Sequence, residues 1–267
     1  MDIYLYYMDL KLFDSRYVDE ENLINNFSFN DKVIIITPTY NRRKFLPILI
    51  YQFLKQTYPK HLLSIIILDD SDVSNQDIID NLENDVKSRI LYIYNSEKKT
   101  IGHKRNILND MAKSLDAKYI VCFDDDDYYP INKISYAIYE LKRTGYLISG
   151  SSAMPIYYTH LKKTYLIGPF INKINYGHAS NGTLIYDVKY LDNNRYNDSD
   201  TKGEERHFLR NYKLSLLQIP YNYVILCIAH NSNTIDKNGI INTEKLIDIN
   251  ISNIINDTYL LEYYLNL

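Results

Sequence analysis

Four consecutive carboxylates, Asp124-Asp125-Asp126-Asp127, are the strongest chemical signal in the chain. Adjacent carboxylates repel one another unless a cation bridges them, and the hard divalent cations that take oxygen ligands and also bind phosphate are Mg²⁺ and Mn²⁺. The ordinary alternative is a solvated acidic turn ahead of a helix near Pro130. Position favours the metal, because the run follows directly on the apolar segment Tyr119-Ile120-Val121-Cys122-Phe123. Three other apolar segments lead into polar residues in the same manner. The first ends in Thr37-Pro38-Thr39-Tyr40-Asn41-Arg42-Arg43, which supplies an aromatic ring, hydrogen-bonding groups and fixed positive charge. The second ends in Asp69-Asp70-Ser71-Asp72, carboxylates suited to accept hydrogen bonds from a nucleobase or ribose. The third leads into Lys98 to Asn106, a loop in which Gly102 permits close backbone approach while Lys104 and Arg105 meet a phosphate.

These clusters need a scaffold that brings chain segments far apart in sequence to one edge. Val33-Ile34-Ile35-Ile36 is a continuous β-branched run, as expected of a strand covered on both faces in a parallel sheet. Asn41 is then expected to cap a helix bearing Phe45, Leu46, Leu49, Ile50, Phe53 and Leu54 at helical spacing, with Pro47 in or near its first turn. Strands at Ser64 to Leu68, Ile90 to Tyr94 and Tyr119 to Phe123 alternate with helices at Ser74 to Glu83, Lys104 to Leu115 and Ile131 to Arg143. The fold expected is α/β, with a Rossmann-like, mostly parallel central sheet flanked by helices, and such sheets bind ligands outside the carboxyl ends of their strands. After residue 143 the alternation gives way to shorter runs. Strands are expected at Leu147 to Met154, Leu184 to Tyr186 and Tyr221 to Ile228, a helix at Gly203 to Tyr212, and one or two helices at Thr243 to Leu265. The divisions are an N-terminal extension at 1–30, a main domain at 31–240 with a nucleotide-binding half (31–130) and a smaller mixed acceptor-side half (131–240), and a C-terminal helical segment at 241–267.

Ile36-Thr37-Pro38-Thr39-Tyr40-Asn41-Arg42, Gln56-Thr57-Tyr58-Pro59, Leu68-Asp69-Asp70-Ser71, Gly102-His103-Lys104-Arg105-Asn106 and Phe123-Asp124-Asp125-Asp126-Asp127 occur in this order, and together the segment 33–130 resembles the family 2 glycosyltransferases of GT-A fold. The resemblance implies that Pro38, Tyr40, Arg42 and Asp70 hold base and ribose. It also implies that the aspartates at 124 to 126 form an Asp-x-Asp metal site, with Asp124 and Asp126 as ligands and Asp125 beside the donor. The interval to Pro130 is a residue shorter than the commonest family form, which leaves that register open. Gly203-Glu204-Glu205-Arg206-His207-Phe208-Leu209 resembles the family's Gly-Glu-Asp segment, whose second carboxylate is the usual general base. Glu205 takes that place, with Glu204 as the alternative and an acidic first turn as the plain structural one. His230 resembles the histidine that adds a metal ligand in some GT-A enzymes. His178, in a glycine-flanked loop, is a weaker candidate for the acceptor or sugar pocket. The reaction implied is an inverting, Mn²⁺- or Mg²⁺-dependent transfer of sugar from a nucleotide-sugar donor, UDP by default, to a carbohydrate or glycosylated protein acceptor.

Composition bounds the alternatives. With 46% hydrophobic residues the 267-residue chain can bury a core, and 30 basic against 33 acidic residues leave a formal charge of -3, too even for a nucleic-acid coat. Cys122 and Cys227 both lie in apolar runs, which suits buried thiols in a reducing compartment. The start of the chain lacks the features of a signal peptide and no segment reads as transmembrane, so a soluble cytoplasmic protein is expected. A nucleotidyltransferase also pairs a nucleotide pocket with acidic metal ligands, but Thr37 to Arg43 lacks the glycine-rich loop such enzymes place after the first strand. A non-catalytic carbohydrate-binding protein on the same fold is the rival from outside enzymology.

Overall fold

The computed structural model describes residues 22–170, 176–231, 233 and 249–267. Strands β1 (Val33–Thr39), β2 (Leu63–Asp69), β3 (Ile90–Tyr94), β4 (Tyr119–Cys122), β5 (Ile148–Gly150), β8 (Ile185–Asp187) and β9 (Leu217–Gln218) form a seven-stranded sheet in the order β3-β2-β1-β4-β8-β5-β9. Pairing is parallel from β3 through β4 and between β5 and β9, whereas β8 runs antiparallel to both of its neighbours. A second sheet joins β6 (Met154–Tyr158) to β7 (Lys163–Ile167) and β10 (Cys227–Ala229), in the order β10-β6-β7. The strand order reverses at β1, flanked by β2 and β4, and a crevice opens there at the carboxyl ends.

Burial on both faces explains the uninterrupted apolar runs. Val33 and Ile35 of β1 pack with Leu49 and Phe53 of helix α1 (Leu46–Lys55), while Ile34 and Ile36 pack on the other face with Leu108 and Ala112. A third cluster joins Ile48, Tyr128, Leu226 and Ile228 to the C-terminal residues Ile251, Leu260 and Tyr264. Residues 22–30 lie on the domain through Ile24, Phe27 and Phe29, with Phe29 4.9 Å from the Tyr58 ring. Expectations for residues 1–21 and 234–248 fall outside the described residues. Among the described residues no helix is long and apolar enough to cross a membrane.

Several boundaries differ from the expected ones, each for a local reason. Asn41 caps no helix: it takes φ 53°, and its side chain is exchanged with Asp72, Nδ2 donating at 3.0 Å and Oδ1 accepting from Asp72 N at 3.1 Å. Helix α1 instead follows a 3-10 turn at Arg43–Phe45, with Pro47 in the first turn where its missing N–H is harmless. The expected helix at 74–83 is two short ones, α2 (Gln76–Asp80) and α3 (Asn84–Lys87). Helix α4 (Ile101–Ser114) begins three residues early, because the Thr100 hydroxyl accepts from His103 N. Helix α5 spans Lys133–Thr144 and ends on left-handed Gly145. Helix α6 is confined to Glu205–Phe208, cut short by Arg210, Asn211 and Tyr212 at φ 47°, 56° and 62°. The run at 221–228 divides into a 3-10 turn after Pro220 and β10, and the described C-terminal helix α7 is Thr258–Leu265.

Candidate functional site

A cleft of about 750 Å³ lies over the β1 and β4 ends, and Pro38, Tyr40, Arg42, Asp70, Lys104, Arg105, Asp124, Asp125, Asp126, Glu204 and Glu205 line it. These are eleven of the fourteen residues singled out from sequence, and His178 is not among the lining residues. His230 adjoins them through Asp126, and Gly102 does not take part. A Cβ on Gly102 would sit 2.0 Å from the Asn197 carbonyl oxygen, so its close approach is to the 197–200 segment rather than to a ligand.

The four aspartates have four different partners. Asp124 Oδ1 accepts from Arg105 Nη2 at 2.5 Å, and Asp124 Oδ2 faces Gly182, where an added Cβ would lie 2.9 Å away. Asp125 Oδ2 accepts from the Thr39 hydroxyl at 2.5 Å, with Arg42 3.8 Å from its other oxygen. Asp126 Oδ2 receives Arg42 Nη1 at 2.5 Å, Asn233 Nδ2 at 3.1 Å and lies 3.0 Å from His230 Nε2. Asp127 Oδ1 accepts from Ile228 N at 2.8 Å, which ties the run to β10. Burial and the neighbouring charge of Asp126 push the Asp125 carboxyl well above the carboxylate range.

Lys104 and Arg105, expected to meet phosphate, are instead tied into the walls. Lys104 Nζ donates to Asp70 Oδ1 at 2.7 Å and to the Thr39 carbonyl at 3.0 Å; Asp70 Oδ2 also accepts from Lys99 N at 2.8 Å. Arg105 is fully buried between Asp124 and Glu204, whose Oε1 lies 3.4 Å from its Nε. With its carbonyl turned towards Arg105, the Asn181 amide accepts at 2.7 and 2.9 Å and donates to the Tyr196 hydroxyl at 2.6 Å. The cationic groups that line the cleft without being singled out from sequence are Lys98, Lys99 and Lys202. Lys98 Nζ stands 3.9 Å over the Tyr40 ring. The adjacent Lys98-Lys99 pair was the available signal for the first two, while Lys202, Asn181 and Asn233 stand in no pattern that sequence alone distinguishes.

The two glutamates are not equivalent. Glu204 is buried against Arg105, with which it forms an ion pair. The Glu205 Oε1 lies 3.5 Å from the Tyr212 hydroxyl, and burial together with the charge of Glu204 raises its pKa to about 7.

The expected three-residue metal set is not assembled: among the described residues, no group of three or more His, Cys, Asp and Glu side chains is placed to hold an ion. Asp124 is committed to Arg105, whereas Asp126 and His230 meet. One carboxylate and one imidazole suit Mn²⁺ or Mg²⁺ where phosphate and water complete the coordination, so the donor set fits a cation that arrives with a diphosphate.

The profile of the family described as glycosyl transferase family 2 matches residues 34–213, more than half of the chain. The chain belongs to glycosyl transferase family 2. A curated relative, the UDP-Glc:alpha-D-GlcNAc-diphosphoundecaprenol beta-1,3-glucosyltransferase WfaP of Escherichia coli, is 34% identical over 149 residues, 54% of this chain and 54% of that protein. This family 2 chain thus spans about half the length of the curated relative it matches. Its fold is shared with S. aureus TarS 1-349 (TM-score 0.53, 16% identity, 74% of this chain and 60% of that one). The same protein in complex with UDP-GlcNAc is matched at TM-score 0.51, with 16% identity over 76% of this chain and 60% of that one. The mannosyltransferase PcManGT of Pyrobaculum calidifontis, in complex with GDP-Man and Mn²⁺, is matched at TM-score 0.58, with 11% identity over 82% of this chain and 65% of that one.

Proposed function

We propose that this chain is a glycosyltransferase that moves a sugar from a nucleotide diphosphate sugar, UDP-sugar by preference, to an acceptor hydroxyl by a metal-dependent, inverting single displacement. The observation that carries the reading is the joining, in one cleft, of a ring-and-carboxylate wall, a cationic rim, the Asp126–His230 pair and the separate, raised-pKa Glu205. Tyr40 offers a face for the base, and Asp70, pinned by Lys104 and Lys99, keeps its remaining lone pairs for ribose or base donors. Lys98, Lys99 and Lys202 oppose the phosphate charge.

Asp126 and His230 would hold Mn²⁺ or Mg²⁺, which when bound offsets the negative charge on the departing nucleotide diphosphate. Arg42 braces Asp126 from the other side. Glu205 takes the proton from the acceptor hydroxyl as it attacks. Arg105 fixes Glu204 and, across the cleft, Asp124, so it sets the spacing of the two walls rather than touching the reacting atoms. Residues 31–130 then serve the donor and 131–240 chiefly the acceptor, a carbohydrate or glycan-bearing molecule, with Lys202 and His230 reaching back to the donor's phosphates and cation. UDP is preferred because the curated relative's name specifies UDP-Glc and the TarS structure holds UDP-GlcNAc. The buried cysteines Cys122 and Cys227 fit a cytoplasmic setting.

Calorimetric titration of UDP and GDP in Mn²⁺ and then in EDTA tests the reading, followed by a screen of nucleotide-sugar hydrolysis. UDP is expected to bind about tenfold or more tighter with Mn²⁺. Equal affinity in EDTA removes the metal, and binding of neither nucleotide removes the donor site.

A further inference from the structure

Beside Glu205 and outside the donor wall, three aromatic rings are assembled from two connections, Phe170 and His178 from the one after β7 and Tyr212 from the one after α6. Phe170 lies 5.1 Å from His178, and His178 lies 4.6 Å from Tyr212. The arrangement is held by backbone rather than by chance packing. Gly177 N donates to the Tyr212 carbonyl at 2.8 Å, and the two segments run so close that a Cβ on Gly177 would lie 2.1 Å from the Leu214 oxygen. Phe170 N donates to the Ser152 hydroxyl at 2.7 Å, and the His178 carbonyl accepts from Gln218 Nε2 at 2.8 Å.

Two features are costly for a purely structural cluster. Arg210, Asn211 and Tyr212 take consecutive left-handed backbone conformations, which non-glycine residues avoid, and the result is to fold Tyr212 back so that its hydroxyl meets Glu205. Among the described residues the buried His178 Nδ1 has no hydrogen-bond partner, a penalty that a phenylalanine would not incur. Phe170 meanwhile remains 43% exposed.

We propose that Phe170, His178 and Tyr212 form a ledge for the acceptor's sugar ring, and that the Tyr212 hydroxyl directs that ring's reacting hydroxyl towards Glu205. The proposal rests on the glycosyltransferase reading and specifies its acceptor as a glycoside rather than a bare alcohol or protein side chain. Pyranose rings carry C–H faces that pack on the electron-rich face of an aromatic ring, and a hydroxyl rim that needs polar groups; the ledge presents both. Burial holds the His178 pKa down at about 4, so its ring stays neutral and packs as an aromatic surface.

The test uses the full chain loaded with UDP and Mn²⁺, titrated with the methyl glycosides of glucose, galactose, mannose and N-acetylglucosamine by calorimetry and saturation-transfer NMR. At least one glycoside is expected to bind, with saturation entering its ring C–H protons. Phe170→Ala and Tyr212→Ala should weaken it by about 3- to 10-fold, the loss of an aromatic contact. Tyr212→Phe, which keeps the ring but loses the directing hydroxyl, should retain most of the affinity while turnover falls, and UDP affinity should hold in every variant. Phe170→Ala, at an exposed side chain, decides the matter if Tyr212→Ala does not fold. Unchanged glycoside affinity in Phe170→Ala overturns the ledge, as does a wild-type protein that binds UDP but no glycoside; in both cases the donor reading stands. A wild type that binds no UDP overturns both.

Discussion

Glu204 and Glu205 are adjacent in sequence, yet their surroundings assign them different work. The Arg105 guanidinium holds Glu204 in an ion pair, Nε 3.4 Å from Oε1, so this carboxylate is committed to the wall of the cleft. Glu205, raised to about 7, is suited to accept a proton near neutrality. Glu205→Gln keeps size and hydrogen bonding but removes basicity, so turnover should fall by about 10² or more with UDP affinity unchanged. The deprotonated form is the active one, so wild-type kcat should rise with pH to a plateau above about 7, and the residual rate of Glu205→Gln should lack that limb. Normal turnover in Glu205→Gln with loss in Glu204→Gln would transfer the role to Glu204. The aspartate run divides in the same way. Asp126→Ala removes a carboxylate that meets His230 and should abolish Mn²⁺-linked UDP binding, whereas Asp127→Ala leaves the buried Ile228 N–H without its acceptor and should lower the melting temperature instead. Metal titration and thermal melts of the two variants separate these outcomes. The residues themselves were legible because each follows an apolar strand. Their partners were not, because Lys104 with Asp70 and Arg105 with Glu204 are contacts made only once the chain has folded.

At the scale of elements, the legible part is the one in which periodicity and burial agree. The β1 to β4 strands and helices α1, α4 and α5 carry unbroken apolar faces, and each was placed from sequence to within a few residues. The second half was not so legible. Helix α6 ends in a left-handed run that no propensity anticipates, and β10 is three residues long, its pairing with β6 decided by tertiary contact. Helix α4 marks the boundary between these regimes. The sequence pattern predicts a loop over Lys98 to Asn106, but Thr100 caps the helix at once, and Gly102 lets the first turn rest on the 197–200 segment with Gly102 N donating to the Asp200 carbonyl at 3.1 Å. Gly102→Ala therefore places a methyl 2.0 Å from the Asn197 oxygen and must push the two segments apart. A loss of about 1–3 kcal/mol is expected from denaturant unfolding. UDP affinity should fall with it, because Lys104 and Arg105 lie on the same turns. An unchanged unfolding midpoint would show that the 197–200 segment yields without cost.

At the scale of the whole molecule, the cleft is supported from behind by a part of the chain that contributes nothing to its lining. Helix α7 packs Leu260 and Tyr264 against Ile48, Tyr128 and Ile228. The Tyr264 hydroxyl donates to the Asp127 carbonyl at 2.9 Å and accepts from Gln52 Nε2 at 3.1 Å; Gln52 also donates to that carbonyl, at 3.0 Å. Tyr51 donates to Asp257 at the start of the helix at 2.8 Å. The backbone carrying Asp126 is thus clamped between α1 and α7, and β10, which leads to His230, takes its register in part from Asp127. Tyr264→Phe removes one hydroxyl and leaves the Gln52 bond, so it should cost about 1 kcal/mol. Tyr264→Ala also opens a cavity under the aspartate run and should cost about 3–5 kcal/mol. At a temperature where Tyr264→Ala remains folded, its Mn²⁺-linked UDP affinity should still fall, because Asp126 and His230 are no longer held at one distance, while the weaker affinity in EDTA should not change. Calorimetry with and without Mn²⁺ on wild type and both variants measures this directly. An affinity for UDP and Mn²⁺ that matches wild type in folded Tyr264→Ala would mean that α7 contributes stability alone and that the aspartate loop is positioned by β4 and Arg105.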